Sequence, residues 1–195
     1  MKKINIFCFG FGQVAKNFIK KINTKNIDIT LTVTSRENTS KKVFEGIEYK
    51  SFQFSKDSFD KSLINNLESS NYILVSLAPV DGEDIVIKNF KNYLKVNKFK
   101  WLTYLSATSV YGDHKGEWVD EKSKTNPTSS SGVQRLKAEK YWTELAENLN
   151  LPIQIFRLSG IYSNESNVLK RLKSGDAKII KKENQFFSRI HVEDI

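Results

Sequence analysis

Near the amino terminus, Gly10-Phe11-Gly12-Gln13-Val14-Ala15 groups two glycines and one small residue behind an apolar lead-in. This G-x-G-x-x-A spacing suits the cradling of a diphosphate. Gly10 permits a tight turn, Gly12 lets backbone approach phosphate oxygens, and Ala15 allows a helix to pack closely on a strand. The amides of Gln13 and Val14 would then face the anion from the positive end of a helix. An ordinary glycine turn is the alternative. Further on, Thr34-Ser35-Arg36 offers a hydroxyl and a guanidinium where an acidic residue would accept ribose hydroxyls. That pairing favours the 2′-phosphate of NADP(H), with NAD as the other option; a surface arginine is the plainer reading. Ser76 and Ala78, in Ser76-Leu77-Ala78-Pro79, and Ser106 end two later apolar runs and could lie along such a ligand. Thr108 and Tyr111 follow Ser106, and Tyr111 brings a phenol that could donate a proton, or simply pack in its loop. The two histidines, His114 and His191, lack ligand-spaced partners, so no metal site is expected.

These residues need elements to position them, and apolar runs alternate with helical stripes along the chain. Strands are expected at Ile4–Phe9, 29–33, 49–54, 72–77, 101–105 and Ile153–Leu158, with further ones at 178–181 and 186–192. Helices are expected at 13–22, 58–68, after a cap at Asp81, at 132–149 and at 168–172. In the long helix Val133, Leu136, Tyr141, Leu145 and Leu149 should face inward, and Ser131 with Gln134 reads as a capping box. A polar loop occupies 112–130. Apolar strands alternating with amphipathic helices imply an α/β fold, a doubly wound, mostly parallel Rossmann sheet. Its ligand would lie outside the carboxyl ends of the strands, near the point where strand order reverses. Gly10, Arg36, Ser76, Ser106 and Ser159 all fall at such ends.

Composition narrows the class. The chain has 195 residues, 39% hydrophobic and 27% charged, ordinary for a globular protein with one domain or slightly more. No apolar run is long enough to span a bilayer. The Met1–Phe9 segment reads as a strand, since a signal peptide would need a longer apolar core and a cleavage site. The single cysteine, Cys8, cannot close an internal disulfide, which fits a reducing, cytoplasmic setting and a buried structural thiol. The net charge of +9 raises nucleic acid as a partner. The lysines are scattered in pairs (Lys2–Lys3, Lys20–Lys21, Lys41–Lys42, Lys181–Lys182), which argues against a nucleic-acid patch. A positive field would equally draw an anionic dinucleotide or substrate. The remaining expectation is a small-molecule substrate, with a homodimer left open.

Three further segments carry a family resemblance. They are Ser106-Ala107-Thr108-Ser109-Val110-Tyr111-Gly112, Arg157-Leu158-Ser159-Gly160-Ile161-Tyr162 and Arg189-Ile190-His191-Val192-Glu193-Asp194-Ile195. With the glycine loop, and in this order, they resemble the extended short-chain dehydrogenase/reductase family, the NAD-dependent epimerase/dehydratase group. The run Val110-Tyr111-Gly112-Asp113 through Glu117-Trp118-Val119-Asp120-Glu121 is most similar to an atypical YeeZ-like subgroup. The resemblance implies a dinucleotide-binding domain over residues 1–160 and the start of a C-terminal substrate region, incomplete or minimal, over 161–195. It implies hydride chemistry on a hydroxyl or carbonyl compound, with Tyr162 and Arg189 toward the substrate. It also implies a catalytic Ser/Thr, Tyr and Lys, and here Ala107, Ser131 and Arg135 stand in those places. Arg135 keeps a permanent charge that could hold a ribose or phosphate. The family's diphosphate-contacting arginine position falls on Phe187, with Arg189 two residues later. A non-catalytic dinucleotide sensor is the competing expectation.

Overall fold

The computed structural model describes residues 3–94, 99–178 and 183–195. The expected strand at 178–181 falls, from 179 onward, outside the described residues, as do Lys2 and the Lys181–Lys182 pair. Seven strands form one sheet: β1 (Ile4–Phe9), β2 (Ile29–Ser35), β3 (Ser40–Phe44), β4 (Ile47–Gln53), β5 (Tyr72–Val75), β6 (Trp101–Ala107) and β7 (Ile153–Leu158). Their order is β3-β4-β2-β1-β5-β6-β7. All pairings are parallel except the β3–β4 hairpin. The parallel strands run outward in chain order in both directions from β1, with β3 folded back outside β4, so the topological switch lies between β1 and β5. This is the doubly wound architecture that the alternation of runs implied.

The central strands β1 and β5 read as mostly apolar runs because both faces of the sheet are covered there. On β1, Phe7 and Phe9 point to one core while Ile6 and Cys8 point to the other. The first core lies under helices α2 (Leu63–Ser69), α3 (Ile85–Phe90) and α4 (Ser130–Leu149). The second lies under α1 (Gln13–Asn23), which buries Ala15 and Ile19. Burial pushes the Cys8 thiol up to about 12, since nothing there solvates a thiolate. Two short strands, β8 (Gly160–Tyr162) and β9 (Arg189–His191), pair in parallel apart from the main sheet, with α5 (Val168–Lys173) between them in sequence.

Several boundaries differ from the expected ones. The third-strand region is a hairpin, with β3 forming an edge strand that polarity had hidden. The helix expected at 58–68 begins only at Leu63, because Asp60 turns the chain by accepting from the Ser62 amide at 2.9 Å. Asp84, not Asp81, caps α3: its carboxylate accepts from the Val86 and Ile87 amides. Asp81 adopts a left-handed backbone and pairs with Lys56. The capping box at Ser131 and Gln134 is likewise replaced: Ser129 accepts from the Gly132 amide at 3.1 Å, and Gln134 turns to Ser130. The buried face of α4 comprises Gly132, Ala138, Glu139, Trp142 and Ala146, leaving Val133 and Tyr141 exposed. No described helix is long and apolar enough to cross a membrane.

Candidate dinucleotide site at the carboxyl edge of the sheet

β1 gives way to Gly10, whose φ of +85° makes the turn that a side chain would strain. A Cβ there would also sit 2.7 Å from Ser76 Oγ and 2.8 Å from Leu77 Cδ2, so the end of β5 closes on the loop. The Ser76 amide and hydroxyl both donate to the Phe9 carbonyl, at 2.9 and 3.0 Å. From β2, Thr34 Oγ1 accepts from the Gly10 amide at 2.9 Å. Three adjacent strand ends thus hold one glycine in place. Gly12 differs: its φ of −81° suits any residue, and a Cβ on it would meet no atom within 4 Å. It opens α1 without a side-chain cap, and the first turn holds no acidic residue. The amide row that begins at Gln13 and Val14 lies at the positive end of an eleven-residue helix, next to the open space over Gly12.

The other expected residues divide into those at this edge and those away from it. Ser35 ends β2 and accepts from Ser51 Oγ at 3.1 Å. Arg36 follows, exposed, and among the described residues its side chain has no hydrogen-bond or ion-pair partner. Its neighbour Glu37 pairs with Lys42 of β3, which draws the Glu37 carboxyl below its ordinary value. Ala78 is exposed beyond β5. Ser106, near the end of β6, is 3% exposed and its hydroxyl has no hydrogen-bond partner. A buried hydroxyl left unpaired is costly, and the Tyr104 hydroxyl, two residues earlier on β6, is buried and unpaired as well. Thr108 starts a half-buried 3₁₀ turn directly after β6.

Arg135 sends one arm back into the sheet, donating from Nη1 to the Leu105 carbonyl at 2.9 Å. Tyr111, read as a possible proton donor or a residue that simply packs in its loop, lies inside an ion-paired cluster and is 6% exposed. The Arg157 guanidinium stacks over its ring at 4.9 Å and donates to its phenol oxygen at 3.2 Å. Arg157 also grips Glu139 in two-pronged fashion, from Nε at 3.2 and 3.1 Å and from Nη2 at 2.9 Å. Glu139 holds the Arg157 guanidinium well above its ordinary range. Periodicity alone missed this pair, because a glutamate on the buried face of a helix reads as a break in the pattern. Arg157 lines a cleft of about 500 Å³ between α4 and β7. Tyr162 and Arg189 belong to the β8–β9 pair, half exposed and exposed. Tyr162 meets the His191 ring edge-on at 5.0 Å, and Arg189 lies 5.0 Å over Phe187. No described hydrogen bond, ion pair or ring contact joins them to Thr108 or Tyr111. The segment after β8 does reach the glycine loop: Ser163 donates to the Gln13 side chain at 3.4 Å.

No family model and no curated protein matches the chain. Solved structures do. A functionally unknown conserved protein from Silicibacter pomeroyi is 30% identical, with a TM-score of 0.79 over 100% of this chain and 65% of that one. UDP-N-acetylglucosamine 4-epimerase from Methanobrevibacter ruminantium, in complex with UDP-N-acetylmuramic acid, is 18% identical, with a TM-score of 0.73 over 100% and 71%. UDP-glucuronic acid 4-epimerase from Bacillus cereus, in complex with UDP-glucuronic acid and NAD, is 16% identical, with a TM-score of 0.76 over 99% and 70%. The chain therefore spans about two thirds of the length of these proteins, and their likeness establishes its Rossmann-like α/β fold.

Proposed function

We propose that this chain binds a nicotinamide dinucleotide along the carboxyl edge of the sheet, NADP(H) ahead of NAD(H). In this reading it is an oxidoreductase or epimerase-like protein of the atypical YeeZ-like subgroup of extended short-chain dehydrogenases/reductases. The observation that carries the reading is the uncapped start of α1 behind Gly10 and Gly12, open to solvent and free of acidic side chains. Such a terminus attracts a diphosphate through its amides and its dipole. The NAD held by the Bacillus cereus neighbour agrees in ligand class. The fit extends to both ends of the edge. At the adenosine end the Arg36 guanidinium has no partner among the described residues, while Lys42 pairs with the neighbouring Glu37 carboxylate. A free guanidinium beside Ser35 is suited to a 2′-phosphate. At the other end, Ser76 and Ser106, at the ends of β5 and β6, would line the nicotinamide side.

When bound, the coenzyme supplies hydride chemistry; the protein's task is to bind and orient. Thr108 is the hydroxyl left near the end of β6 to face a small-molecule substrate, with Tyr162 and Arg189 offering a ring and a cation from the β8–β9 pair. Arg135 and Tyr111 act as positioning groups, tied respectively to the Leu105 carbonyl and to Arg157. Those ties, together with Ala107 and Ser131 at the positions of the family's catalytic hydroxyls, favour a second reading, a dinucleotide sensor without turnover.

Titration with NADPH and NADH tests the binding reading. NADPH should bind more tightly, and Arg36→Ala should weaken NADPH by roughly ten-fold, the scale of one charge-assisted hydrogen bond, while leaving NADH unchanged. Equal affinities in the unmutated protein refute the arginine's role. Loss of 340 nm absorbance with any member of a carbonyl panel selects the enzyme over the sensor.

A further inference from the structure

The glycine loop is flexible by composition, yet its amides must be ordered before a ligand arrives if binding is not to bear the ordering cost. Its one bulky side chain is that of Phe11, the residue between the two glycines. The Phe11 ring lies 5.3 Å from Phe44, edge-on at 84°, and 5.2 Å from Tyr49. Phe44 and Tyr49 belong to β3 and β4. The ammonium of Lys16, from the first turns of α1, lies 6.0 Å from both the Phe11 and Phe44 rings. The same hairpin touches α1 at its far end. Its turn, with φ of 50° at Glu45 and 78° at Gly46, presents the Glu45 carbonyl to Asn23 Nδ2 at 2.9 Å. The Glu45 carboxylate pairs with Lys20 at 3.7 Å. The turn end of the hairpin therefore reaches both ends of α1, Phe44 meeting the glycine loop and Glu45 the last turn.

We propose that the β3–β4 hairpin is a clasp that preorganises the phosphate-facing loop, with Phe44 as a positioning residue acting through Phe11. This rests on the dinucleotide reading above. The hairpin adds one antiparallel edge strand to an otherwise parallel sheet, and its outward residue Val43 is 65% exposed. Phe44 points the other way, onto the loop and the core beneath α1. Releasing Phe11 leaves the loop tied at its start, by Thr34 to Gly10 and by Ser76 to Phe9, and the amides at the start of α1 fray.

The test compares Phe44→Ala, Phe44→Tyr and the outward control Val43→Ala. In ligand-free protein, hydrogen exchange is read at the Gly10 amide, which bonds to Thr34, and at the Lys16 amide, which bonds to the Gly12 carbonyl at 2.9 Å. Phe44→Ala should speed both by roughly five-fold, the scale of one aromatic pair, while Phe44→Tyr and Val43→Ala stay at the unmutated rate. Affinity for NADPH and NADH should fall by a similar factor, and that for adenosine 2′-monophosphate, which lacks a diphosphate, should not. Unchanged exchange in Phe44→Ala overturns the clasp whatever the binding results. Unmutated protein that binds a coenzyme, with Phe44→Ala binding it equally well, overturns the clasp alone. Equal weakening for adenosine 2′-monophosphate points to general loosening and also overturns it. Unmutated protein that binds neither coenzyme overturns the dinucleotide reading and the clasp's role with it. Phe44→Leu takes the place of Phe44→Ala if the latter unfolds.

Discussion

Alanine at Gly12 and alanine at Gly10 add the same methyl group two residues apart, and the structure assigns them opposite consequences. At Gly12 the backbone already adopts a conformation open to any residue, and the new Cβ meets nothing within 4 Å. Alanine is a poorer N-cap than glycine by about 0.5–1 kcal/mol. Restricting the unfolded chain returns about 0.4–1 kcal/mol, so net stability should hardly change. At Gly10 the left-handed backbone costs alanine about 1–2 kcal/mol. Contacts at 2.7 and 2.8 Å with Ser76 and Leu77 add an overpacking cost of about 1–3 kcal/mol. Gly10→Ala should therefore lose about 2–5 kcal/mol and melt some 5–15 °C lower, while Gly12→Ala should melt within about 2 °C of the unmutated protein. Binding should invert the contrast. The Gly12 methyl would project into the space through which phosphate oxygens must come within about 2.7–2.9 Å of an amide. Losing one charge-assisted hydrogen bond removes about 1.5–3 kcal/mol, or roughly 10- to 150-fold in Kd. Calorimetric titration with NADPH at fixed salt, run beside thermal melts, reads both quantities. A Gly12→Ala protein with unmutated melting temperature and unmutated Kd would refute the assignment of this helix terminus to a diphosphate.

The buried ion pair and the lone thiol make further predictions. Arg157→Leu strands the Glu139 carboxylate, whose side chain is 5% exposed, and should cost about 3–5 kcal/mol in denaturant melts. Adding Glu139→Leu should recover most of that loss; a double variant as unstable as the single one would show that the pair's charge is not what the fold depends on. With the Cys8 thiol near 12, about one part in ten thousand is ionised at pH 8, so a disulfide reagent should label it only after unfolding. Rapid labelling of native protein would contradict its burial.

Much of the fold was legible in local pattern. Ile4–Phe9 stands where its apolar run lies, because a strand covered on both faces needs such a run, and Ile153–Leu158 stands where apolar residues recur along an edge strand. β3 was not legible: Lys41 and Val43 face outward on an edge strand, so its sequence carries little of a core strand's signature. The cap of α4 shows a different limit. Residues 128–131 offer four consecutive hydroxyls, any of which could begin the helix. Contact with the turn after β6 selects Ser129, because Gly132 must pass so close to the Ser109 carbonyl that a Cβ would lie 2.5 Å from it.

By itself, the sequence determined the alternation of strands and helices, the glycine bend before α1, and the set of hydroxyl and cationic residues at strand ends. These depend on interactions between neighbours in the chain: period, cap and backbone freedom. Only the tertiary structure decided that Arg157 of β7 neutralises Glu139 of α4, that Tyr111 is enclosed by that pair, that Ser106 is left unpaired, and that a hairpin ring rests on Phe11. Each depends on which side chain burial brings opposite it, and partners 18 to 46 residues apart have no local period to announce them.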